Sequence, residues 1–205
     1  MNPSNRRPGG AELLDAFLEW QIAARHYPGA VVHVERDGKV LASRAAGVID
    51  PETGAPMSEN AVFRIASMTK PIVSTLALML VEQGRLGLDE PVARWLPELA
   101  GLKLASGKAP ARQPTVRDLM RHTSGFAYVG EIRDPALRAE AAKADLDGKL
   151  PTLTPAEVLA TLAALPLACE PGTQFLYGFS TDVLGLVVER VTGARLGDAL
   201  REALF

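Results

Sequence analysis

The sequence has one cysteine and three histidines, and 5% of its residues are aromatic. The single cysteine, Cys169, excludes a disulfide within the chain and is typical of a protein from a reducing compartment. The histidines have no metal-ligand spacing, so we expect no metal site. Acidic and basic residues nearly balance at a net charge of −2, which does not favour a nucleic acid as a partner.

Long apolar runs are also missing. No stretch approaches the about 20 apolar residues that a membrane-spanning helix needs, so we expect no membrane partner. The polar segment 1–10 contains Arg6 and Arg7, a pair found in export signals, but acidic residues interrupt the apolar stretch that such a signal requires next. We therefore expect a cytoplasmic protein with a flexible tail over residues 1–10. Residues 11–205 form the folded portion, and 47% of the chain is hydrophobic, enough for a real core.

A polar Ser-x-x-Lys pair, Ser67 and Lys70, precedes an apolar run that ends at Gly84. Proline is tolerated in the first turn of a helix, so Pro71 places the helix start near Ser67. Residues three apart share one helix face, which brings the two side chains to the same spot. By itself the pair also fits an ordinary capping serine followed by a solvated lysine.

The chemistry of this pair favours a nucleophile. A helix N-terminus carries a positive field of about half a charge, which suits an oxyanion forming beside Ser67. Lys70 shares that field and is expected to lie beneath the serine, and both effects disfavour its charged form. A neutral lysine can take the proton from Ser67, which is otherwise a weak nucleophile.

The remaining pattern predicts a mixed α/β protein. Two strand-like runs, 30–36 and 39–46, flank Asp37-Gly38, a strong hairpin signal. Thr154 and Glu157 form a predicted capping box with proline at the first helical position. A charged, alanine-rich stretch at 130–150 is expected to be a helical excursion on the surface. The other predicted helices lie at 11–24, 92–96, 116–121, 181–191 and 196–204.

Six segments in the same order resemble the serine β-lactamase-related superfamily, which includes class C β-lactamases, DD-peptidases and family VIII carboxylesterases. They are Pro-Gly-Ala-Val at 28–31, Arg-Asp-Gly-Lys at 36–39, Phe-Arg-Ile-Ala-Ser-Met-Thr-Lys-Pro at 63–71, Gly-Arg-Leu-Gly-Leu-Asp-Glu-Pro at 84–91, Leu-Met-Arg-His-Thr-Ser-Gly-Phe at 119–126, and Glu-Pro-Gly at 170–172 leading to Tyr177. The resemblance covers nearly the whole chain after Ala11. It implies a β-lactamase/transpeptidase-like α/β fold, an antiparallel sheet flanked by helices, with the C-terminal strands absent from this chain.

The resemblance also implies roles for single residues. Ser67 resembles the acylated nucleophile, Lys70 its partner base, and Tyr177 the tyrosine of a Tyr-x-Asn motif that moves protons to and from the serine. The physics agrees, because a phenol beside a cationic lysine ionises more easily. The alternative for Tyr177 is a core aromatic with its hydroxyl satisfied. No cofactor is implied.

Two departures from the family pattern stand out. Phe179 occupies the place of the asparagine that helps to hold the side-chain amide of a β-lactam, which favours ester substrates. We expect Phe179 and Met68 to contact the substrate. Second, no Lys-Thr-Gly, His-x-Gly or Trp-Gly-Gly motif comes after Tyr177, so a cleft strand and one oxyanion donor are not found. The marker at 122–125, with Ser124, is expected to be structural.

These observations predict a serine hydrolase that acts on a small-molecule ester through an acyl-enzyme. One alternative is a β-lactamase or DD-peptidase with a β-lactam-like substrate, and another is a non-catalytic scaffold of the same fold. A two-stranded hairpin alone is marginal, and its unpaired edge and apolar face are liabilities. We therefore expect the chain to be a poor enzyme alone, with weak thermal cooperativity, and to need a C-terminal complementing segment.

Overall fold

The computed structural model describes residues 9–205, which form two compact units. The first ends at Ile65 and the second comprises Ala66–Phe205. Residues 1–8, most of the predicted flexible tail, lie outside the described residues. Gly10, predicted to belong to that tail, is instead the first residue of a helix, whose N-terminus is capped when the Gly9 N–H donates to the Glu12 carboxylate.

The first unit is one helix and a small antiparallel sheet. Its elements are α1 (Gly10–Ala23), β1 (Gly29–Arg36), β2 (Lys39–Asp50) and β3 (Ala55–Pro56), in the sheet order β1-β2-β3. The predicted hairpin turn is present, because Asp37 and Gly38 both have positive φ, at 51° and 72°, as a tight two-residue turn requires. Helix α1 packs on β2, and Arg44 donates to the Asp15 carboxylate across that contact.

The predicted two-stranded sheet is wrong by one strand. Asp50 accepts hydrogen bonds from the Glu52 N–H at 2.9 Å and the Thr53 hydroxyl at 2.8 Å, which reverses the chain. The next two residues after this turn, Ala55 and Pro56, pair antiparallel with the end of β2. Pro56 has no N–H to donate and suits a strand this short. The sequence pattern indicated the turn, but it did not indicate the pairing beyond it.

The second unit is helical. Its helices are α2 (Thr69–Glu82), α3 (Val116–Met120), α4 (Pro135–Ala144), α5 (Leu146–Lys149), α6 (Pro155–Ala164), α7 (Ser180–Thr192) and α8 (Leu196–Ala203). The predicted helix at 92–96 is a 3₁₀ turn over Val92–Arg94. The capping box is present, since the Thr154 hydroxyl accepts from the Glu157 N–H and the Glu157 carboxylate accepts from the Thr154 N–H. No helix within residues 9–205 is both long enough and apolar enough to cross a bilayer.

Helices α2 and α7 form the centre of this unit. Their facing sides carry apolar residues at helical spacing, and the side chains of both sets are almost entirely buried: Val73, Leu76, Ala77 and Leu80 on α2, and Val183, Leu184, Val187 and Val188 on α7. Helix α7 ends at Gly193 with φ of 73°, and the chain after α2 turns at Gly84 with φ of 69°. This packing fixes the starts of both helices, which carry the site.

The stretch 130–150 is not only a surface excursion. Leu137 and Ala141, four residues apart on α4, are buried in a small apolar cluster with Ile132, and Leu146 is buried in the main core. Asp134 caps α4 by accepting the Leu137 N–H at 2.8 Å. The high charge and alanine content of the segment reflect the outer face of α4. For this reason the composition did not indicate the apolar inner face.

A buried carboxylate fixes the turn after α3. Asp118 is 0% exposed and accepts hydrogen bonds from Arg112, Arg121, the Thr115 hydroxyl and the Thr123 hydroxyl. Burial acts to raise its pKa, but the bonds from Arg112 and the two threonines outweigh burial and hold that pKa well below its usual range. Asp118 therefore remains an anion that ties the turn to its surroundings.

Replacing Asp118 with asparagine is expected to lower the free energy of unfolding by about 2–3 kcal/mol, because the charged partner Arg112 is left half-buried. A carboxylate with a lowered folded pKa stabilises above its unfolded pKa, near 4, and this stability is lost as the pH falls through the folded pKa. The free energy of unfolding of Asp118→Asn, measured by denaturant unfolding at a series of pH values, should therefore fall less steeply at acid pH than that of the parent chain. The control is Asp89→Asn, since the Asp89 side chain is 76% exposed in its pair with Arg117. Equal effects at both positions would contradict this prediction.

Candidate active site

Ser67 lies in a single 3₁₀ turn, Ala66–Met68, immediately before α2. The prediction placed the helix start at this point, and Pro71 is indeed in the first turn of α2. Ala66 has φ of 46°, in the left-handed region that non-glycine residues rarely adopt. Such backbone strain is found where the surrounding structure holds a functional group in place. Ser67 is thus presented, exposed, on a sharp turn.

Three side chains predicted from the sequence come together at this turn. The Lys70 ammonium donates to the Ser67 Oγ at 3.1 Å, across one helical turn. The Tyr177 hydroxyl donates to the same Oγ at 2.7 Å, from a segment 110 residues away in the chain. The Lys70 Nζ also lies 4.9 Å from the centre of the Tyr177 ring. The serine oxygen is therefore within hydrogen-bonding distance of two groups that can accept or return a proton.

These neighbours change the pKa of the Tyr177 phenol. Hydrogen bonding with Lys70, and then with Ser67, lowers the pKa of Tyr177 below its ordinary value, against a smaller opposing effect of burial. This agrees with the expectation that a phenol beside a lysine ionises more easily. At neutral pH a larger fraction of Tyr177 is therefore available as a base than in an isolated tyrosine.

The backbone around Tyr177 is held by a close approach of two segments. The Tyr177 carbonyl accepts from the Tyr128 N–H at 3.0 Å, and the Phe179 N–H donates to the Phe126 carbonyl at 3.0 Å. A Cβ at Gly178 would lie 2.1 Å from that Phe126 carbonyl oxygen, a distance that no side chain tolerates. Gly178 therefore allows the strand-like contact that aims Tyr177 at the serine.

Replacing Gly178 with alanine is expected to slow modification of Ser67 by a fluorophosphonate at least tenfold, because the backbone must move apart and carry the Tyr177 hydroxyl with it. The matched control is Gly197→Ala on α8, where a Cβ meets nothing within 4 Å. Alanine in that helix should stabilise slightly, by about 0.5–1 kcal/mol, and leave labelling unchanged. Labelling of Gly178→Ala at the rate of the parent chain would contradict the role given to the close contact.

A cleft of about 360 Å³ opens beside the serine. Its lining includes two ionisable residues that the sequence pattern did not mark, Tyr128 and Asp182. The full lining is Ala66, Ser67, Thr69, Lys70, Val73, Tyr128, Thr181, Asp182 and Leu196. Asp182 is in the first turn of α7, where an acidic residue is ordinary because it complements the helix dipole, so nothing in the pattern singled it out.

The pKa values of the two tyrosines near the serine are shifted in opposite directions, lower for Tyr177 and higher for Tyr128. Burial, followed by the negative charge of Asp182, raises the pKa of Tyr128 to about 12. Burial also raises the pKa of Asp182, against the opposing effect of the Lys70 charge. Groups whose pKa values diverge in one site take different roles. Tyr128 remains a protonated phenol at neutral pH, whereas Tyr177 is the tyrosine that is more easily ionised.

Phe179 does not reach this cleft, which corrects the expectation that it contacts the substrate. Its side chain is 4% exposed and packs edge-on against Tyr128, with ring centroids 4.7 Å apart. It lines a separate apolar cavity of about 30 Å³ instead. The cause is its position one residue before α7, which turns the side chain into the core. Met68 is 71% exposed beside Ser67 and is not part of the cleft lining, so its contact with a substrate stays a prediction.

Ser124 is a structural residue, as expected. It is 0% exposed, its hydroxyl is paired with that of Ser180 at 2.8 Å, and it accepts the Phe126 N–H. Gly125 turns the chain there with φ of 91°. Among the described residues, no group of three histidine, cysteine or acidic side chains is arranged to hold a metal ion.

The chain is similar to a known protein family and to several known proteins. The family model described as Beta-lactamase matches residues 12–205. The chain is 41% identical to Esterase EstB from Burkholderia gladioli over 93% of its own length and 47% of that protein. Among solved structures it is similar to EstCE1, a hydrolase with promiscuous acyltransferase activity, with a TM-score of 0.82, 34% identity, and coverage of 93% of this chain and 49% of that one. It is also similar to simvastatin synthase (LovD) from Aspergillus terreus, with a TM-score of 0.74, 28% identity, and coverage of 96% and 50%.

These matches confirm the predicted fold class, a β-lactamase/transpeptidase-like mixed α/β fold with an antiparallel sheet and helices. They also confirm the predicted resemblance to esterases and related serine enzymes. The chain spans about half the length of the curated relatives that it matches.

Proposed function

Because the chain belongs to the beta-lactamase family, we propose that it hydrolyses small carboxylic esters through an acyl-enzyme formed on Ser67. One observation carries the proposal: the Ser67 Oγ lies 3.1 Å from the Lys70 Nζ and 2.7 Å from the Tyr177 Oη. A nucleophile within hydrogen-bonding reach of a base that is itself oriented by a third group is the arrangement that nucleophilic catalysis requires.

The proposed reaction has two halves. Ser67 Oγ bonds to the ester carbonyl carbon while its proton passes to the Tyr177–Lys70 pair, and collapse of the tetrahedral intermediate breaks the bond to the alcohol oxygen. That leaving oxygen takes the proton from the pair, which gives the free alcohol and an acyl-enzyme. Water then attacks the acyl carbon, the pair takes its proton, and the proton returns to Ser67 as the carboxylic acid leaves.

Ester substrates are favoured over β-lactams. The third position of the tyrosine motif is Phe179, whose side chain is buried and offers no amide to a substrate. A site that hydrogen-bonds a substrate amide discriminates strongly, and its loss removes that preference. EstB, a relative at 41% identity, is named an esterase, which supports the same choice.

Acyl transfer to an alcohol is the second candidate, supported by the description of EstCE1 as a hydrolase with promiscuous acyltransferase activity. The two reactions share the acyl-enzyme and differ only in the acceptor. The ratio of transfer product to acid, measured with a p-nitrophenyl ester and increasing concentrations of a short alcohol, separates them. A rise in transfer product at constant p-nitrophenol release would favour the transferase.

Efficient turnover is proposed to require a polypeptide equivalent to the other half of the relatives. Val40 and Leu41 on the hairpin are more than half exposed, at 57% and 58%, and exposed apolar side chains on a sheet favour association. Losing a single oxyanion donor costs about a hundred- to a thousandfold in rate. The purified chain is therefore expected to be a weak esterase whose activity rises when that polypeptide is added in trans.

The test of the proposed function has two arms. A fluorophosphonate should modify Ser67 and no other serine, as located by mass spectrometry of the labelled peptide. In parallel, a short p-nitrophenyl ester should be turned over in preference to a chromogenic cephalosporin, with the Ser67→Ala variant as the blank. An adduct on Ser124 would refute the nucleophile. Faster cleavage of the cephalosporin would favour the β-lactamase, and no labelling at all would favour a non-catalytic scaffold.

A further inference from the structure

The imidazole of His122 lies against the ring of Tyr177. The two ring centroids are 4.8 Å apart with an interplanar angle of 34°, and the Phe175 ring also contacts the imidazole, with centroids 5.8 Å apart and an angle of 63°. The His122 Nδ1 is buried and has no hydrogen-bond partner among residues 9–205. The ring is therefore held by its aromatic contacts and not by a bond through Nδ1.

The backbone of His122 also fixes the segment that carries Tyr177. Its carbonyl accepts the Leu176 N–H at 2.9 Å, one residue before the tyrosine. The turn is rigid, because the Thr123 N–H donates to the Asp118 carbonyl at 2.9 Å and the Thr123 hydroxyl donates to the Asp118 carboxylate at 3.0 Å. His122 itself has φ of 54°, a left-handed conformation in which asparagine, aspartate and histidine are several-fold enriched over most residues.

We propose that His122 is a positioning residue for Tyr177, whose ring face holds the phenol within hydrogen-bonding reach of Ser67. The kinetic consequence rests on the proposed function, whereas the effect on the phenol itself does not. Burial, together with the charge of Lys70, lowers the pKa of His122, so the ring is neutral at pH 7 and adds no second cation beside Lys70. The preference of histidine for this backbone conformation accounts for the turn but does not account for the contact between its ring and that of Tyr177.

Two substitutions distinguish a positioning role of the ring from a role in shaping the turn, because the two roles predict opposite orders of labelling rate. His122→Phe keeps a flat ring and loses the nitrogens, while His122→Asn suits the left-handed backbone and loses the ring. Positioning through the ring predicts that His122→Phe labels with fluorophosphonate within about threefold of the parent chain and that His122→Asn labels at least tenfold more slowly. A turn-shaping role predicts the reverse order. Melting curves of both variants establish that they are folded before rates are compared.

A spectroscopic readout tests the phenol without any catalysis. The chain has only three tyrosines, so ¹³C labelling at the phenol carbon gives three signals, and Tyr27→Phe and Tyr128→Phe assign them. The pKa of Tyr177 is expected to stay unchanged in His122→Phe and to rise by about one unit in His122→Asn, because the phenol loses its fixed contact with Lys70.

The proposal is overturned by any of three results: the reverse order of labelling rates, equal impairment of both variants, or a Tyr177 pKa that neither substitution changes. Failure of the proposed function can be distinguished from failure of the positioning role. If no protein in the set is labelled at Ser67 but the Tyr177 signal shifts only in His122→Asn, the acyl chemistry fails while the positioning role stands.

Discussion

Replacing Lys70 with arginine is expected to slow acylation of Ser67 by about a thousandfold or more, the upper range for a positioned proton-transfer group. Arginine keeps its proton at any accessible pH and carries a planar, wider head group, so it can neither accept the serine proton nor occupy the same 3.1 Å position beside Oγ. The measurement is the second-order rate of fluorophosphonate labelling, followed by mass spectrometry, which detects acylation even where ester turnover is too slow to see.

The control for this substitution is Lys103→Arg, a lysine outside the lining of the cleft. It should leave the labelling rate unchanged. Near-normal labelling by Lys70→Arg would mean that a positive charge at position 70 is sufficient, and Tyr177 would then be the base by itself. Loss of labelling with an intact melting transition would instead support a proton-accepting lysine, because arginine supplies a positive charge at that position but cannot give up its proton.

Local patterns predicted most of the elements that carry the site. Pro71 and Gly84 bracket α2, and Asp37 with Gly38 specified the hairpin turn through their positive φ. These signals are local, because each depends on the φ angle or missing N–H of one residue. The start of α2 could therefore be placed to within two residues, and with it the face shared by Ser67 and Lys70.

The features that could not be predicted from the sequence depend on long-range packing. Asp182 and Tyr128 enter the cleft only because α7 and the segment after α3 meet beside α2, and their types are unremarkable in a single sequence. Phe179 was misplaced for the same reason, since a motif position does not say which way a side chain turns. The pairing of β3 was missed because a two-residue strand leaves no alternation to detect.

Replacing Tyr177 with phenylalanine is expected to slow acylation about a hundred- to ten-thousandfold, because the 2.7 Å bond to Ser67 and its proton acceptor are both removed. The matched control is Tyr128→Phe. Tyr128 lines the same cleft, but its pKa of about 12 keeps it protonated at neutral pH, so it cannot serve as the base. That variant should lose less than tenfold, and equal losses in both variants would argue against Tyr177 as the base.

The role of Tyr177 as a base also predicts how the acylation rate depends on pH. A base works when it is deprotonated, so the acylation rate should rise with pH and level off above the pKa of Tyr177. Hydrogen bonding with Lys70 lowers that pKa, which extends activity toward neutral pH. Removing the lysine with Lys70→Met should return the phenol toward its ordinary value, about 10, and move the rising limb to higher pH. A limb that stays in place in Lys70→Met would show that another group titrates, and Tyr177 would then serve only to hold the serine.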